Sequence, residues 1–172
     1  MAKTLTMATI LAQIRGTYAN TSDGLNAAAN FSQSYTDSLA SGTGTAQADL
    51  FWDDSRSVGV GADDDIDMAA LTCTDVFGAV LTFAEIRGIM IKNTSVAAGE
   101  DLAIGGGGAT EWLAWVGAAG DYVVLHPDGL FLYTAPVDGS LPIVGAATDM
   151  LRITGNGAAP IIYHIWIWGT SA

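Results

Sequence analysis

Basic residues are scarce in this chain. Only 6 Lys and Arg stand against 18 Asp and Glu, a formal charge of -12 over 172 residues. A phosphate-lined surface repels such a molecule before any contact forms, so nucleic acid is not an expected partner. Cysteine occurs once, as Cys73 between two threonines, which rules out an intrachain disulfide and suits a partly buried free thiol. No run of about 18 apolar residues is present. The longest candidates, near Ile86 and Ile161, are broken by Arg87, Gly88, Pro160 and His164, so no membrane-spanning helix and no membrane partner is expected. Residues 1–16 lack a compact apolar centre and a small-residue cleavage site, and a secretory signal is not expected. Catalytic motifs are missing as well. His126 and Asp128 are near neighbours, but no local motif marks a Ser or Cys nucleophile or an oxyanion donor, so neither an enzyme nor a cofactor is expected.

Half of the chain is hydrophobic, 14% is charged and 21 residues are glycine. That balance excludes disorder and fits a strand-rich, turn-rich globule. So apolar a chain with so few charges is expected to cover part of its surface by self-association, as a trimer or dimer.

The organising stretch is Val76–Ser95, in which a β-branched, alternating run ends at an Asn-Thr-Ser corner. Strict alternation places Ile86, Gly88 and Met90 on one face and Arg87, Ile89 and Ile91 on the other. A strand apolar on both faces belongs inside a sheet. Around it lie short strand-like runs separated by glycine and proline turns, His126-Pro127-Asp128-Gly129 among them. With no long amphipathic helix, the pattern indicates an all-β fold: an antiparallel β-sandwich, jelly-roll-like, with an extended N-terminal arm. Residues 1–45 form the arm, expected to hold short strands, with a helix over Leu5–Ile14 as the competing reading. Residues 46–172 form the sandwich.

Three features invite chemistry. Asp63, Asp64, Asp65 and Asp67 are the only candidates for a metal site, presenting hard oxygen ligands; they lack the spacing, internal glycine and terminal Glu of a calcium loop, and a solvated loop with an Asx-type turn is the alternative. Gly105–Gly108 resembles a phosphate loop in composition only, because no Lys-Ser or Lys-Thr follows; a hairpin tip or a close strand approach explains it better. In the last strand Ile161, Tyr163, Ile165 and Ile167 share one face and Ile162, His164, Trp166 and Trp168 the other. That second stripe is either core under an opposing layer or a contact belt.

The block Gly42–Ser95 carries a GTGTAQAD turn before a short strand, an Asp-rich stretch leading to a turn at Phe77-Gly78, and a strand that ends at Lys92-Asn93. The C-terminal half adds a Gly-rich hairpin, HPDGLFLY and a closing strand of alternating Ile and aromatics. Together these resemble the small β-sandwich virion structural proteins of tailed bacteriophages. The acidic DDDID and the additional tryptophans are not part of that pattern. The resemblance implies a capsid decoration, or cement, protein located on the virion surface, with the major capsid protein as partner. Tyr18, Phe31 and Tyr35 of the arm, with Trp166 and Trp168, are the expected contact residues. A tail, neck or fibre-base protein is the alternative within that class. A carbohydrate-binding module, with Trp52, Trp112 and Trp115 gathered beside the same stripe, is the alternative outside it.

Overall fold

The computed structural model describes residues 5, 7–20, 27–69, 72–108, 110–137, 139, 141–143 and 149–171. Among them are eleven strands: β1 Met7–Asn20, β2 Ala27–Ser41, β3 Gln47–Ala48, β4 Leu50–Val58, β5 Asp63–Asp67, β6 Glu85–Asn93, β7 Asp101–Gly105, β8 Tyr122–Leu125, β9 Leu130–Thr134, β10 Met150–Asn156 and β11 Ile161–Thr170. The last eight build two four-stranded sheets, ordered β4-β11-β6-β9 and β5-β10-β7-β8. Their antiparallel partners nest: β4 with β11, β5 with β10, β6 with β9, β7 with β8. The chain is therefore one folded-back ribbon, rolled so that successive rungs alternate between the sheets. This is the jelly-roll wrap of a β-sandwich.

Alternation in the sequence selects the core. Ile161, Tyr163, Ile165 and Ile167 of β11 turn inward, and meet Leu151 and Ile153 of β10 and Leu102 and Ile104 of β7 in one buried cluster. A large aliphatic side chain fully buried in this way stabilises the fold by about 1.5–3 kcal/mol.

Strict alternation fails at one point in β6. Trp168 pairs with Gly88 but Gly169 pairs with Ile86, so Arg87 is the extra residue of a β-bulge. The bulge shifts the phase and places Ile86 in the core with Ile89 and Ile91, not with Gly88 and Met90. It also frees the Arg87 side chain to leave the plane of its sheet.

The arm differs from the expectation of short strands or of a helix over Leu5–Ile14. β1 and β2 are 14 and 15 residues long and pair without a break from Met7 opposite Ala40 to Asn20 opposite Ala27. At about 3.3 Å per residue this hairpin is roughly 45 Å long, against about 33 Å for the ten residues of β11. The short β3 pairs parallel to β2 through Ala40–Gln47 and Ser41–Ala48, tying the hairpin to the sandwich.

Candidate interaction surface

The hairpin is two-faced. Its unbroken register places Ala8, Ile10, Ala12 and Ile14 of β1 on the same side as Phe31, Gln33, Tyr35, Asp37 and Leu39 of β2, a side that is mainly apolar. The other side carries Thr9, Leu11, Gln13, Arg15 and Thr17 with Asn30, Ser32, Ser34, Thr36 and Ser38. Near its root the apolar side is covered: Leu39 is buried, and Ala8 and Ile10 pack with Met90, Leu132, Trp166 and Trp168. Farther out it is bare, with Ile14 70%, Tyr35 56% and Phe31 48% exposed. Phe31 lies against Gly16 directly across the strands, where a β-carbon has no room. Tyr18 falls on the apolar side by register, but its side chain lies outside the described residues.

The surface facing the hairpin is the outside of the β4-β11-β6-β9 sheet. Trp168 is buried beneath the hairpin root, Trp166 is half-buried, and His164 stacks on Trp166 with ring centroids 5.8 Å apart. The stripe is thus covered at one end by the chain's own arm and open at the other. Between hairpin and sheet runs a groove of about 810 Å³, and none of its lining residues carries a charge. Two buried polar atoms at or near the root, Trp168 Nε1 and Asp37 Oδ2, have no hydrogen-bond partner among the described residues, a cost that the apolar packing around them offsets.

Arg87 fixes the root. Its guanidinium is fully buried and donates to the carbonyls of Gln47 (3.3 Å), Val137 (2.9 Å), Thr43 (3.1 Å) and Gly44 (3.2 Å), and it pairs with Glu85 at 2.6 Å. Thr43, Gly44 and Gln47 belong to the turn that leaves β2, a turn with positive φ at Gly42 (138°) and Ala46 (57°). One bulged cation therefore holds the loop that sets where the hairpin emerges.

The acidic segment is a strand, β5, rather than the solvated loop expected of it. Asp63 and Asp65 project to one side, where Arg152 contacts Asp65 at 2.7 and 2.8 Å and Asp63 at 3.2 Å, and Thr154 donates to Asp63 at 2.7 Å. Asp64 points to the other side and receives Arg56 Nε at 2.8 Å, Arg56 Nη2 at 2.6 Å and the Tyr163 hydroxyl at 2.7 Å. Burial alone raises the Asp64 pKa, but the hydrogen bonds from Arg56 and Tyr163 and the Arg56 charge outweigh it and hold the carboxyl below its ordinary value. Burial, then the bond to Asp64, raises the Tyr163 pKa. Asp67 accepts from the backbone N–H of Ala69 at 3.0 Å. Among the described residues no group of three or more His, Cys, Asp or Glu side chains is placed to hold a metal ion.

Elsewhere the suggestive motifs have structural partners. The Gly105–Gly108 segment wraps the buried Glu111, which accepts the Gly106 N–H at 2.6 Å, and a β-carbon on Gly105 would collide with the Asp121 carbonyl. His126 meets Asp101 at 2.8 Å on the exposed surface. Cys73 is a fully buried thiol whose pKa burial pushes up to about 12. Trp52 and Trp112 are buried in the core and Trp115 packs on Phe131, so these three do not gather beside Trp166.

Charge divides sharply between the two parts. In residues 1–45 Lys3 and Arg15 balance Asp23 and Asp37, so the whole net charge of -12 falls on residues 46–172. There each of the four basic side chains is paired to an acid: Arg56 to Asp64, Arg87 to Glu85, Lys92 to Asp128 and Arg152 to Asp65. A neutral, half-covered ribbon thus projects from an acidic body. No family model, curated protein or solved structure matches the chain.

Proposed function

We propose that this chain is a structural protein of a bacteriophage virion, of the capsid decoration type, and that the hairpin attaches it to the outer shell. The observation that carries the proposal is the hairpin itself: fourteen unbroken rungs, no net charge, and a long β1 edge with no paired strand among the described residues. β1 lies at the edge of its sheet and contains one charged residue, Arg15, and no proline. An edge of this kind is a template for a strand from another chain, and proteins that do not use such an edge normally blunt it. Backbone hydrogen bonding along β1 by a segment of a capsid subunit supplies register and reach. Apolar burial adds about 25 cal/mol per Å², before the ordering costs of association are subtracted.

The acidic sandwich complements this role. Its uncompensated carboxylates favour solubility, and an orientation away from other acidic surfaces or toward a basic one. The jelly roll agrees with the reading without fixing it, since the same wrap serves capsid proteins and lectins alike.

Copy number tests the proposal. Quantitative mass spectrometry of purified particles of the encoding phage is expected to find the chain in numbers comparable to the major capsid protein. A handful of copies per particle would place it in the tail, neck or fibre base, and absence from the particle would end the virion reading.

A further inference from the structure

We infer that the groove between the hairpin and the tryptophan-bearing sheet face receives the hairpin of a second copy of this chain, the two copies inserting reciprocally about a two-fold axis. The inference deepens the attachment reading, on which its division of labour rests: the β1 edge serves the shell, and the apolar side serves the second copy.

Three observations lead there. A two-stranded ribbon is marginal in water unless a further layer covers it, and only the root of this one is covered. The bare part offers Ile14, Phe31 and Tyr35, while the groove offers Phe51, Leu132 and Trp166 on its opposite wall, so each copy carries both halves of an apolar contact. Charge then selects the occupant. Two molecules at -12 repel one another across any approach of sandwich to sandwich, but the hairpin is neutral and the groove is uncharged. A partner recognised by opposite charge would instead be drawn to the sandwich.

Area favours reciprocity. The bare part of the ribbon beyond Ile10, roughly 30 Å long and 10 Å wide, presents about 300 Å², half of the roughly 600 Å² per partner at the lower end of specific contacts. When each copy contributes both a hairpin and a groove, the contact reaches that size. Such an arrangement closes on itself, as an isologous pair does.

Sedimentation equilibrium of the whole purified chain, from about 1 to 100 µM, tests this without any particle present. A monomer–dimer equilibrium is expected, holding or tightening with added salt because salt screens the repulsion between the two acidic bodies while the apolar contact persists. Ile14→Glu and Tyr35→Glu, both at exposed positions, are each expected to weaken it by at least about tenfold. Thr17→Glu, a carboxylate on the opposite side of the same hairpin and away from the groove lining, should leave it unchanged. Circular dichroism and melting of the variants confirm that the fold is kept. A monomer at every concentration overturns the inference and leaves the face to another partner. Oligomers of any other size, or a dimer that survives both substitutions or weakens strongly with salt, overturn it by placing the contact elsewhere. None of these results bears on particle binding, so the two proposals fail separately.

Discussion

Trp168 lies so tightly over Gly88 that the glycine has no room for a β-carbon. The two residues face each other across β11 and β6, one rung from the bulge at Arg87. The indole rests on bare backbone and in turn supports the hairpin root through Leu39 and Ala48. Gly88→Ala is therefore expected to displace the ring and to destabilise the protein by about 1–3 kcal/mol, the usual cost of overpacking. Tryptophan fluorescence and thermal melting check this together; an unchanged spectrum and melting temperature would show that the ring does not rely on the gap.

Arg87 is the polar counterpart of that contact. Lysine keeps the charge but lacks the planar fork that reaches several carbonyls at once. Arg87→Lys should thus cost at least about 2 kcal/mol, and Arg87→Met, which removes the cation beside the buried Glu85, about 3–5 kcal/mol. Limited proteolysis should then cut within Gly42–Ala46 sooner than in the parent protein. Equal stability in all three proteins would refute an anchoring role.

The Arg56–Asp64–Tyr163 group makes stability depend on pH. Because the folded Asp64 carboxyl titrates below its ordinary value, its contribution is complete above the unfolded pKa of about 3.9 and is lost as pH falls through that value toward the folded one. Asp64→Asn should cost about 2 kcal/mol at neutral pH, less than for a fully buried pair. It should also flatten the fall in melting temperature between about pH 5 and 3. Parallel curves for the two proteins would contradict this assignment.

The DDDID strand should not respond to calcium. Asp63 and Asp65 are already engaged by Arg152, and Asp64 is turned to the other side of the strand. Differential scanning fluorimetry at millimolar Ca²⁺ should show no rise in melting temperature. A clear rise would mean that the arginine contacts yield to a cation.

Much of the sandwich was legible because one face of each core strand is buried and the residues alternate accordingly, as in Ile161–Ile167 and Leu151–Ile153. The position of Ile86 was not, since a bulge is a local exception to that alternation and nothing in EIRGIM marks it. Arg87 did leave a signal: a cation flanked by apolar residues inside a strand must find buried acceptors, although which ones is decided by a turn some forty residues earlier. The arm also carried a usable pattern. Asn30 to Leu39 alternates polar and larger side chains with period two, but its abundant Ser, Thr and Asn read as loop when the pairing partner is unknown. The Trp166–Trp168 stripe was recognisable as a surface that needs covering, whereas the identity of its cover, the chain's own hairpin, depends on long-range topology.

Cryo-electron microscopy of particles of the phage proposed to encode this chain decides between the shell and other placements. The account predicts jelly-roll density repeated over the outer shell at the junctions between capsid subunits, with the β1 edge of the hairpin paired to a capsid strand. Density confined to the tail or to a single vertex, or a hairpin that makes no contact with the shell, would contradict it.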